Sequence, residues 1–296
     1  MKQIIRKINM LYVIVNEYVH FIYYLCYLVC CIKKRPADKN AKNILITGAA
    51  GTIGVEVRGF LLNQGFNLYS CDRIPFKKIH SNEKIFNIDI RHMLAIACLF
   101  ESCSSIIHLA GAAYAVCWNN VLSNNINGTY HIFETARKVN IKRVIFASSV
   151  HVTGFYPVSK KVDINDLPRP DSFYGVSKLF GENIGQLYFD KYNIQTFSLR
   201  IGSYKLVPTN KHDLGFWLSP RDFNHLLLQC LNSTYKKCLT IYATSNNSNS
   251  FYINASVKEI NYFPIDNAED YSHLIDIDNY TKNDELQGGH FCRYGL

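Results

Sequence analysis

Three polar side chains near the middle of the chain have the types and spacing needed for acid–base chemistry on a hydroxyl group. Tyr174 and Lys178 are four residues apart, so a helix would place both on one face. The Lys178 ammonium would favour the phenolate of Tyr174, which would make this phenol a usable general base near neutral pH. Ser149 follows an apolar run that predicts a strand, and its hydroxyl could hydrogen-bond the reacting oxygen. Together these residues predict proton abstraction from a substrate hydroxyl.

A glycine-rich stretch closer to the N-terminus has the pattern of a phosphate-binding turn. Gly48, Gly51 and Gly54 follow an apolar run and precede a helical pattern. This spacing permits a tight turn and close approach of the backbone to a pyrophosphate, while the helix N-terminus supplies N–H groups. Asp72 ends the next apolar run, where its carboxylate would bind the adenosine ribose and repel a 2′-phosphate. The pattern predicts NAD as the cofactor in preference to NADP, although Arg73 could soften that preference.

Taken singly, each motif has an ordinary structural interpretation. A Tyr-x-x-x-Lys pair is common on solvated helix faces, a serine often caps a helix, and glycines occur in many turns. The glycine stretch has a predicted strand before it and a predicted helix after it, which is the context that nucleotide binding requires. The combination of the motifs therefore favours the catalytic interpretation.

Short apolar runs alternate with helical segments from residue 43 onward, a pattern typical of parallel α/β units. Strands are predicted at 43–47, 66–70, 105–109, 143–148 and 196–200, and helices are predicted to begin near residues 52, 92, 120 and 174. Several of the runs are apolar throughout, as in strands buried on both faces. We predict an α/β, doubly wound, parallel-sheet Rossmann fold over residues 43–296. Small substrate-binding elements are expected near residues 155–171, 204–224 and 251–266.

Charge and cysteine content exclude several classes of function. The net charge is +9, but eight basic and two acidic side chains lie within residues 1–42, so the remainder is only mildly basic. Nucleic-acid binding is therefore not expected. The ten cysteines are scattered, with no C-x-x-C pair and no metal-ligand spacing. They predict reduced thiols in the cytoplasm and no metal site.

Residues 1–42 form an extension that differs from the remainder of the chain. The stretch 8–32 is mostly apolar, has basic residues on both flanks and is long enough to span a bilayer. Asn16, Glu17 and His20 interrupt it, and a carboxylate near mid-span is costly. We interpret it as a candidate membrane anchor of a cytoplasmic catalytic domain. A surface-lying amphipathic helix, or a segment absent from the mature protein, are the alternatives.

The order and spacing of the motifs resemble the extended short-chain dehydrogenase/reductase family, part of the NAD-dependent epimerase/dehydratase superfamily, over residues 43–296. The similarity lies in Gly48-x-x-Gly51-x-x-Gly54, in Ser149 with Gly154 five residues later, and in Tyr174-x-x-x-Lys178. It implies that Asp89 and Ile90 flank the adenine and that Asn125 lies on the active-site helix. The implied cofactor-binding residues are Gly48, Gly51, Thr52, Ile53, Gly54, Asp72, Asp89, Ile90, Leu109, Ala110, Gly111, Asn125, Tyr174, Lys178 and Ile201.

Further stretches are similar to the bacterial NAD-dependent uronate dehydrogenases, which oxidise the C1 hydroxyl of a cyclic hexuronate to a lactone. Among them are Ser148–His151, Arg169–Lys178 and Gln287-Gly288-Gly289. This resemblance implies an NAD-dependent oxidoreductase acting on CH–OH groups in carbohydrate metabolism. The implied catalytic residues are Ser149, Tyr174 and Lys178, and the implied substrate-binding positions are Ala113, Ser149, Val150, His151, Tyr174 and His212.

Three of the substrate positions depart from the uronate dehydrogenase pattern. Val150 replaces an amide side chain, and Ala113 replaces a serine. His212 falls where an arginine would hold the sugar carboxylate, with Lys211 beside it. Arg is the preferred fork for a carboxylate, whereas His is only partly charged at neutral pH. The expected substrate is therefore a hexuronate or a related sugar, with a neutral or differently substituted sugar as an open alternative.

Two other functions fit part of the pattern. A nucleotide-sugar epimerase or dehydratase would share the fold, but the part of the chain after Ile201 is short for a nucleotide pocket. A membrane-associated NAD-binding protein without turnover would fit the altered substrate positions, but the intact Ser149, Tyr174 and Lys178 argue against it. The expected partner is a small-molecule sugar substrate. The protein is also a candidate homo-oligomer.

Overall fold

The computed structural model describes residues 43–100, 103–113, 117–275 and 285–293, so the predicted extension 1–42 lies outside the described residues. Within them, seven parallel strands form one sheet in the order β3-β2-β1-β4-β5-β6-β9. The strands are β1 (Asn43–Thr47), β2 (Asn67–Asp72), β3 (Glu83–Asn87), β4 (Ser105–His108), β5 (Arg143–Ser149), β6 (Gln195–Ile201) and β9 (Leu239–Ala243). The order reverses between β1 and β4, which confirms the doubly wound Rossmann fold.

The five strands predicted from apolar runs are the five central strands of this sheet, each within two residues of its predicted bounds. Their side chains alternate between two cores, one on each face. In β1, Ile44 and Ile46 join one core and Leu45 joins the other. Burial on both faces explains why these runs are apolar throughout.

Among the described residues, five helices cover the two faces of the sheet. They are α1 (Thr52–Asn63), α2 (Met93–Phe100), α3 (Gly128–Lys138), α4 (Phe173–Tyr192) and α5 (Pro220–Asn232). Helices α1 and α5 pack on the face that contains Ile44, and α2, α3 and α4 pack on the face that contains Leu45. A helical turn at Trp118–Asn120 and a π-helical stretch at Val121–Asn127 lead directly into α3.

Smaller elements lie outside the seven-stranded sheet. Strands β7 (Ser203–Tyr204) and β8 (Trp217–Leu218) form a second, two-stranded sheet. Short 3₁₀ helices are Val150–Thr153, Lys211–Gly215, Ala255–Ile260, Ala268–Leu274 and Gly289–Arg293. The last of these belongs to residues 285–293, here called the C-terminal segment, which pairs with the loop after β5 through Pro157 and Leu286. No helix in the described part of the chain is both long and apolar enough to cross a membrane.

Candidate active site

The glycine stretch forms a tight turn between β1 and α1 that only glycine can make. Gly48 has a positive φ of 76°, and a Cβ atom there would lie 2.6 Å from the backbone nitrogen of Ala110. A Cβ atom at Gly54 would lie 2.2 Å from the carbonyl oxygen of Gly48. Gly51 is the N-cap of α1 and has no side chain to satisfy the first N–H groups of the helix. These N–H groups can therefore bind a phosphate, and the turn fits the pyrophosphate of a dinucleotide.

A cleft extends from this turn along the carboxyl ends of β1, β2, β3 and β4. It is lined by Gly48, Ala50, Gly51, Asp72, Arg73, Ile74, Ile88, Asp89, Ile90, Leu109, Ala110, Gly111, Ala112 and Asn124. Eight of these residues belong to the predicted cofactor-binding set. The cleft lies where the strand order reverses, which is the usual binding crevice of such sheets.

Asp72 ends β2 and its carboxylate is fixed in this cleft. Its Oδ2 accepts a hydrogen bond from the backbone of Ala50, and its Oδ1 accepts one from the backbone of Ile74, each at 3.0 Å. Each oxygen keeps a further lone pair, which suits the two hydroxyl groups of a ribose. Arg73, which could soften the preference for NAD, hydrogen-bonds Asn124 at 3.1 Å.

Substituting Asp72 with Asn should shift the cofactor preference toward NADP. The variant removes the negative charge that repels a 2′-phosphate and weakens the acceptors for the ribose hydroxyls. The ratio of kcat/KM for NADP to that for NAD should rise by about 10- to 100-fold, as expected for loss of one charge-assisted hydrogen bond. Initial rates with both cofactors measure this ratio. An unchanged ratio would contradict the assignment of Asp72 to the ribose site.

Asp89 and Ile90, predicted to flank the adenine, lie on the cleft wall beyond β3. The carboxylate of Asp89 forms an ion pair with Arg91 at 2.7 Å. Burial opposes ionisation of this carboxyl group, but the hydrogen bonds from Arg91 outweigh burial and lower its pKa. Asp89 is therefore held as a carboxylate acceptor at the edge of the cleft.

Ser149 and Tyr174 lie at the carboxyl end of β5 and at the start of α4. Ser149 is buried, pairs with Ile201 of β6, and accepts a hydrogen bond from the backbone of His151 at 3.3 Å. Tyr174 is the second residue of α4, and Ser172 caps this helix by accepting a hydrogen bond from the backbone of Gly175. The turn of α4 that carries Tyr174 is thus fixed beside the strand end that carries Ser149.

Lys178 is buried one helical turn after Tyr174. Its Nζ atom donates to the carbonyl oxygen of Ala147 in β5 at 2.8 Å and lies 5.4 Å from the ring centre of Tyr174. Burial lowers the pKa of Lys178 to about 8, so the ammonium is still the main form at pH 7. Its positive charge can therefore stabilise a phenolate at Tyr174.

The π-helical stretch before α3 brings Asn125 to the same place. Its Nδ2 donates to the hydroxyl of Ser177 at 2.9 Å, and its Oδ1 accepts from the backbone of Ala112 at 2.8 Å. A Cβ atom at Gly111 would lie 3.3 Å from Nζ of Lys178 and 3.5 Å from Oδ1 of Asn125. Asn125 therefore links the β4 loop to the helix of Tyr174 and Lys178.

The residues predicted to bind the substrate do not all converge. The ring of His151 lies 5.8 Å from that of Tyr174, which places it at the reaction centre. The side chain of Val150 packs in an apolar cluster with Tyr156, Val162, Tyr242 and Tyr252, so only its backbone is available to a substrate. Ala113 is exposed on the loop after β4.

His212 forms a hydrogen bond with the C-terminal segment. Its Nε2 is 2.9 Å from the carbonyl oxygen of Gln287, so this nitrogen carries a proton and donates it to that oxygen. The ring also packs against Phe216 and Phe251, with ring centres 5.1 and 5.4 Å away.

Two residues at the reaction centre were not predicted from the sequence. Phe291 of the C-terminal segment lies with its ring centre 4.0 Å from that of His151 and 6.2 Å from that of Tyr174. Asp171 bonds His151 through its carboxylate. Asp171 belongs to the stretch Arg169–Lys178 that carries the family resemblance, which was the available signal, whereas nothing local marked Phe291.

A Rossmann sheet with a glycine turn after β1, a carboxylate at the end of β2, and a Ser/Tyr/Lys set beside the crevice is the arrangement of an NAD-dependent oxidoreductase acting on CH–OH groups. The comparisons agree with this class. Residues 44–204 match the model of the NAD dependent epimerase/dehydratase family, and the chain belongs to that family.

Individual relatives extend this similarity beyond the family domain. The uronate dehydrogenase of Pseudomonas syringae pv. tomato is 34% identical over 257 residues, covering 85% of this chain and 94% of that protein. The NAD-dependent glucose-6-phosphate dehydrogenase of Haloferax volcanii is 30% identical, covering 77% of this chain and 95% of that protein. A mutant of the uronate dehydrogenase from Agrobacterium tumefaciens, complexed with NAD, superposes with a TM-score of 0.81 at 32% identity, covering 86% and 97% of the two chains.

Proposed function

We propose that the protein oxidises the C1 hydroxyl of a cyclic hexuronate, or of a closely related sugar, to a lactone with NAD⁺. The observation that carries this proposal is the placement of Ser149, Tyr174 and Lys178 at the end of β5 and the start of α4, beside the cofactor cleft. The similarity to uronate dehydrogenases over most of both chains supports a sugar substrate.

In this reaction the protein residues hold the hydroxyl and take its proton. Ser149 hydrogen-bonds the C1 oxygen, and Tyr174 removes the proton of that hydroxyl as general base. Lys178 keeps its ammonium beside the phenol and thereby favours the phenolate. Bound NAD⁺ would supply the hydride acceptor. The turn at Gly48–Gly54 and the carboxylate of Asp72 would hold the two ends of its adenosine diphosphate half.

The identity of the sugar depends on the wall formed by His212 and the C-terminal segment. In this wall, Nε2 of His212 donates to the carbonyl oxygen of Gln287. A uronate would then require a protonated His212 or a contribution from Lys211, whereas a neutral sugar would require neither. The proposed oxidation at C1 is possible with either a uronate or a neutral sugar.

The test is NADH formation by the full chain with NAD⁺ and a panel of galacturonate, glucuronate, neutral hexoses and phosphorylated hexoses. Turnover on a uronate, with a lactone as the product, is the expected result. Turnover on another member of the panel would support the dehydrogenase activity but assign it to a different class of sugar. Tightly copurifying NAD that is recycled, without net NADH formation, would contradict the proposal in favour of an epimerase.

The position of the protein in the cell is a separate proposal. We infer that the catalytic domain resides in the reducing cytoplasm, as its cysteine pattern predicts. Cys71, Cys103, Cys117, Cys230, Cys238 and Cys292 are free thiols, and the first, second and fourth of these are buried. Attachment to a membrane through residues 8–32, and assembly into a homo-oligomer, stay predictions from the sequence.

A further inference from the structure

A buried carboxylate that the proposed proton transfer does not use lies directly behind the reaction centre. The side chain of Asp171 is fully enclosed, with 0% of its surface exposed. Its Oδ2 lies 2.6 Å from Nδ1 of His151, the short distance of a charge-assisted hydrogen bond. Enclosing a carboxylate is costly unless it is bonded, so its partners indicate what it does.

Two glycines from separate parts of the chain make room for this carboxylate. A Cβ atom at Gly154 would lie 1.8 Å from Oδ2 of Asp171, and one at Gly288 would lie 2.0 Å from the same atom. Gly288 donates its backbone N–H to the carbonyl oxygen of Gly154 at 2.9 Å, which holds the C-terminal segment against this cradle. The packing is thus arranged around the Asp171 carboxylate.

The second oxygen of Asp171 connects to the helix that carries Tyr174 and Lys178. Its Oδ1 accepts a hydrogen bond from the hydroxyl of Ser172 at 2.7 Å. The same hydroxyl caps α4 by accepting from the backbone of Gly175 at 3.1 Å. Asp171 therefore fixes His151 with one oxygen and supports the start of α4 with the other.

The partner ring is held at the reaction centre. The ring of His151 packs against those of Tyr174 and Phe291, with ring centres 5.8 and 4.0 Å away, and its side chain keeps 16% exposure. A carboxylate only accepts hydrogen bonds, so Nδ1 of His151 must carry the proton. When the ring is neutral, Nε2 is then a lone-pair acceptor and the only ring nitrogen left for a ligand.

We propose that Asp171 is a positioning residue that fixes His151 as its Nδ1–H tautomer, so that Nε2 accepts a hydrogen bond from a sugar hydroxyl next to the reacting carbon. This inference rests on the proposed function for the identity of the ligand. The link between Asp171 and His151 itself does not depend on that function and can be tested without substrate.

The first test is spectroscopic. Long-range ¹H–¹⁵N spectra of the full chain, labelled at histidine nitrogens and recorded at mildly alkaline pH, report the tautomer of each ring, and His151→Gln assigns the signal. We expect the Nδ1–H pattern for His151, and its loss in Asp171→Asn. Asp190→Asn, the same substitution at an exposed site on α4, should leave the signal unchanged. An Nε2–H or doubly protonated His151, or a signal insensitive to Asp171→Asn, would overturn the proposal.

The second test is a double-mutant cycle on kcat/KM for the sugar. Asp171→Asn should lower kcat/KM by about 10- to 100-fold, the range for one lost hydrogen bond to a charged group. The His151→Gln variant keeps an amide that can donate to Asp171, and it should show a loss of similar size. Adding Asp171→Asn to it should cause no further loss, because the asparagine oxygen can still accept from Ser172 and Asp171 otherwise acts through His151.

Additive losses in this cycle would mean that Asp171 supports the fold alone, and would contradict the proposal. Thermal unfolding of each variant shows whether it is folded at the assay temperature. If the unsubstituted chain oxidises no sugar, the proposed function fails, while the spectra still decide whether Asp171 fixes His151.

Discussion

Replacing Tyr174 with Phe should lower kcat for sugar oxidation by about a thousandfold or more, in line with the loss of a general base. The variant removes only the hydroxyl and leaves the ring that packs beside His151 and Phe291. The glycine turn, Asp72 and Lys178 are untouched, so most of the affinity for NAD should be retained. Loss of turnover with retained cofactor binding would identify Tyr174 as the group that takes the proton.

The matched control is Tyr192→Phe, the same change at the exposed far end of the same helix. This variant should keep full activity. Rates of NADH formation measure turnover, and calorimetric titration with NAD measures binding. Substantial residual activity in Tyr174→Phe would contradict the assignment and move the proton acceptor to another residue.

The parts of the site that the sequence predicted are those with local signals. A glycine triplet between an apolar run and a helical pattern specifies a turn whose geometry follows from the absence of Cβ atoms at Gly48 and Gly54. Ser149 and Asp72 were found because each ends an apolar run, and parallel strands bring such ends to one edge of the sheet. The central strands were found because burial on both faces makes their sequences apolar throughout.

Of the two edge strands that were not predicted, β3 was missed for a physical reason. Strand β3 begins at Glu83, which is fully buried and reads as polar in the sequence. Its burial depends on an ion pair at 2.6 Å with Arg58 of α1, a contact between distant residues. The other residues of β3 are partly or fully exposed, so β3 has no continuous apolar run. Strand β9, in contrast, is mostly apolar and buried, so its apolar run was an available signal.

Contacts between distant segments account for the unpredicted parts of the site. Phe291 reaches His151 only because the C-terminal segment pairs with the loop after β5. A helix was predicted to begin near residue 120 with Asn125 on it, but no glycine or proline marks its π-helical form. The burial of Val150 depends on aromatic side chains from β9 and the following loop. A single sequence carries no signal for such contacts between distant segments.

Replacing Gly54 with Ala should disrupt the cofactor turn, whereas Gly59→Ala, five residues later in the same helix, should not. A Cβ atom at Gly54 would lie 2.2 Å from the carbonyl oxygen of Gly48 and 2.9 Å from two backbone atoms of Ala49. Backbone cannot move aside as a flexible side chain can, so the turn must shift. Overpacking of this kind costs about 1–3 kcal/mol, which corresponds to about a 5- to 150-fold loss of NAD affinity if the strain falls on the bound turn.

Gly59 is the matched control because the Cβ atom of an alanine would meet nothing within 4 Å. There the substitution removes only the flexibility of a glycine inside α1, so it should raise the free energy of unfolding by about 0.5–1 kcal/mol. Calorimetric titration with NAD and denaturant unfolding measure the two effects. A loss of NAD affinity in Gly54→Ala, together with a gain in the free energy of unfolding in Gly59→Ala, would show that the turn at Gly48–Gly54, and not helix propensity, limits cofactor binding. Equal NAD affinity in both would mean that the pyrophosphate does not depend on this turn.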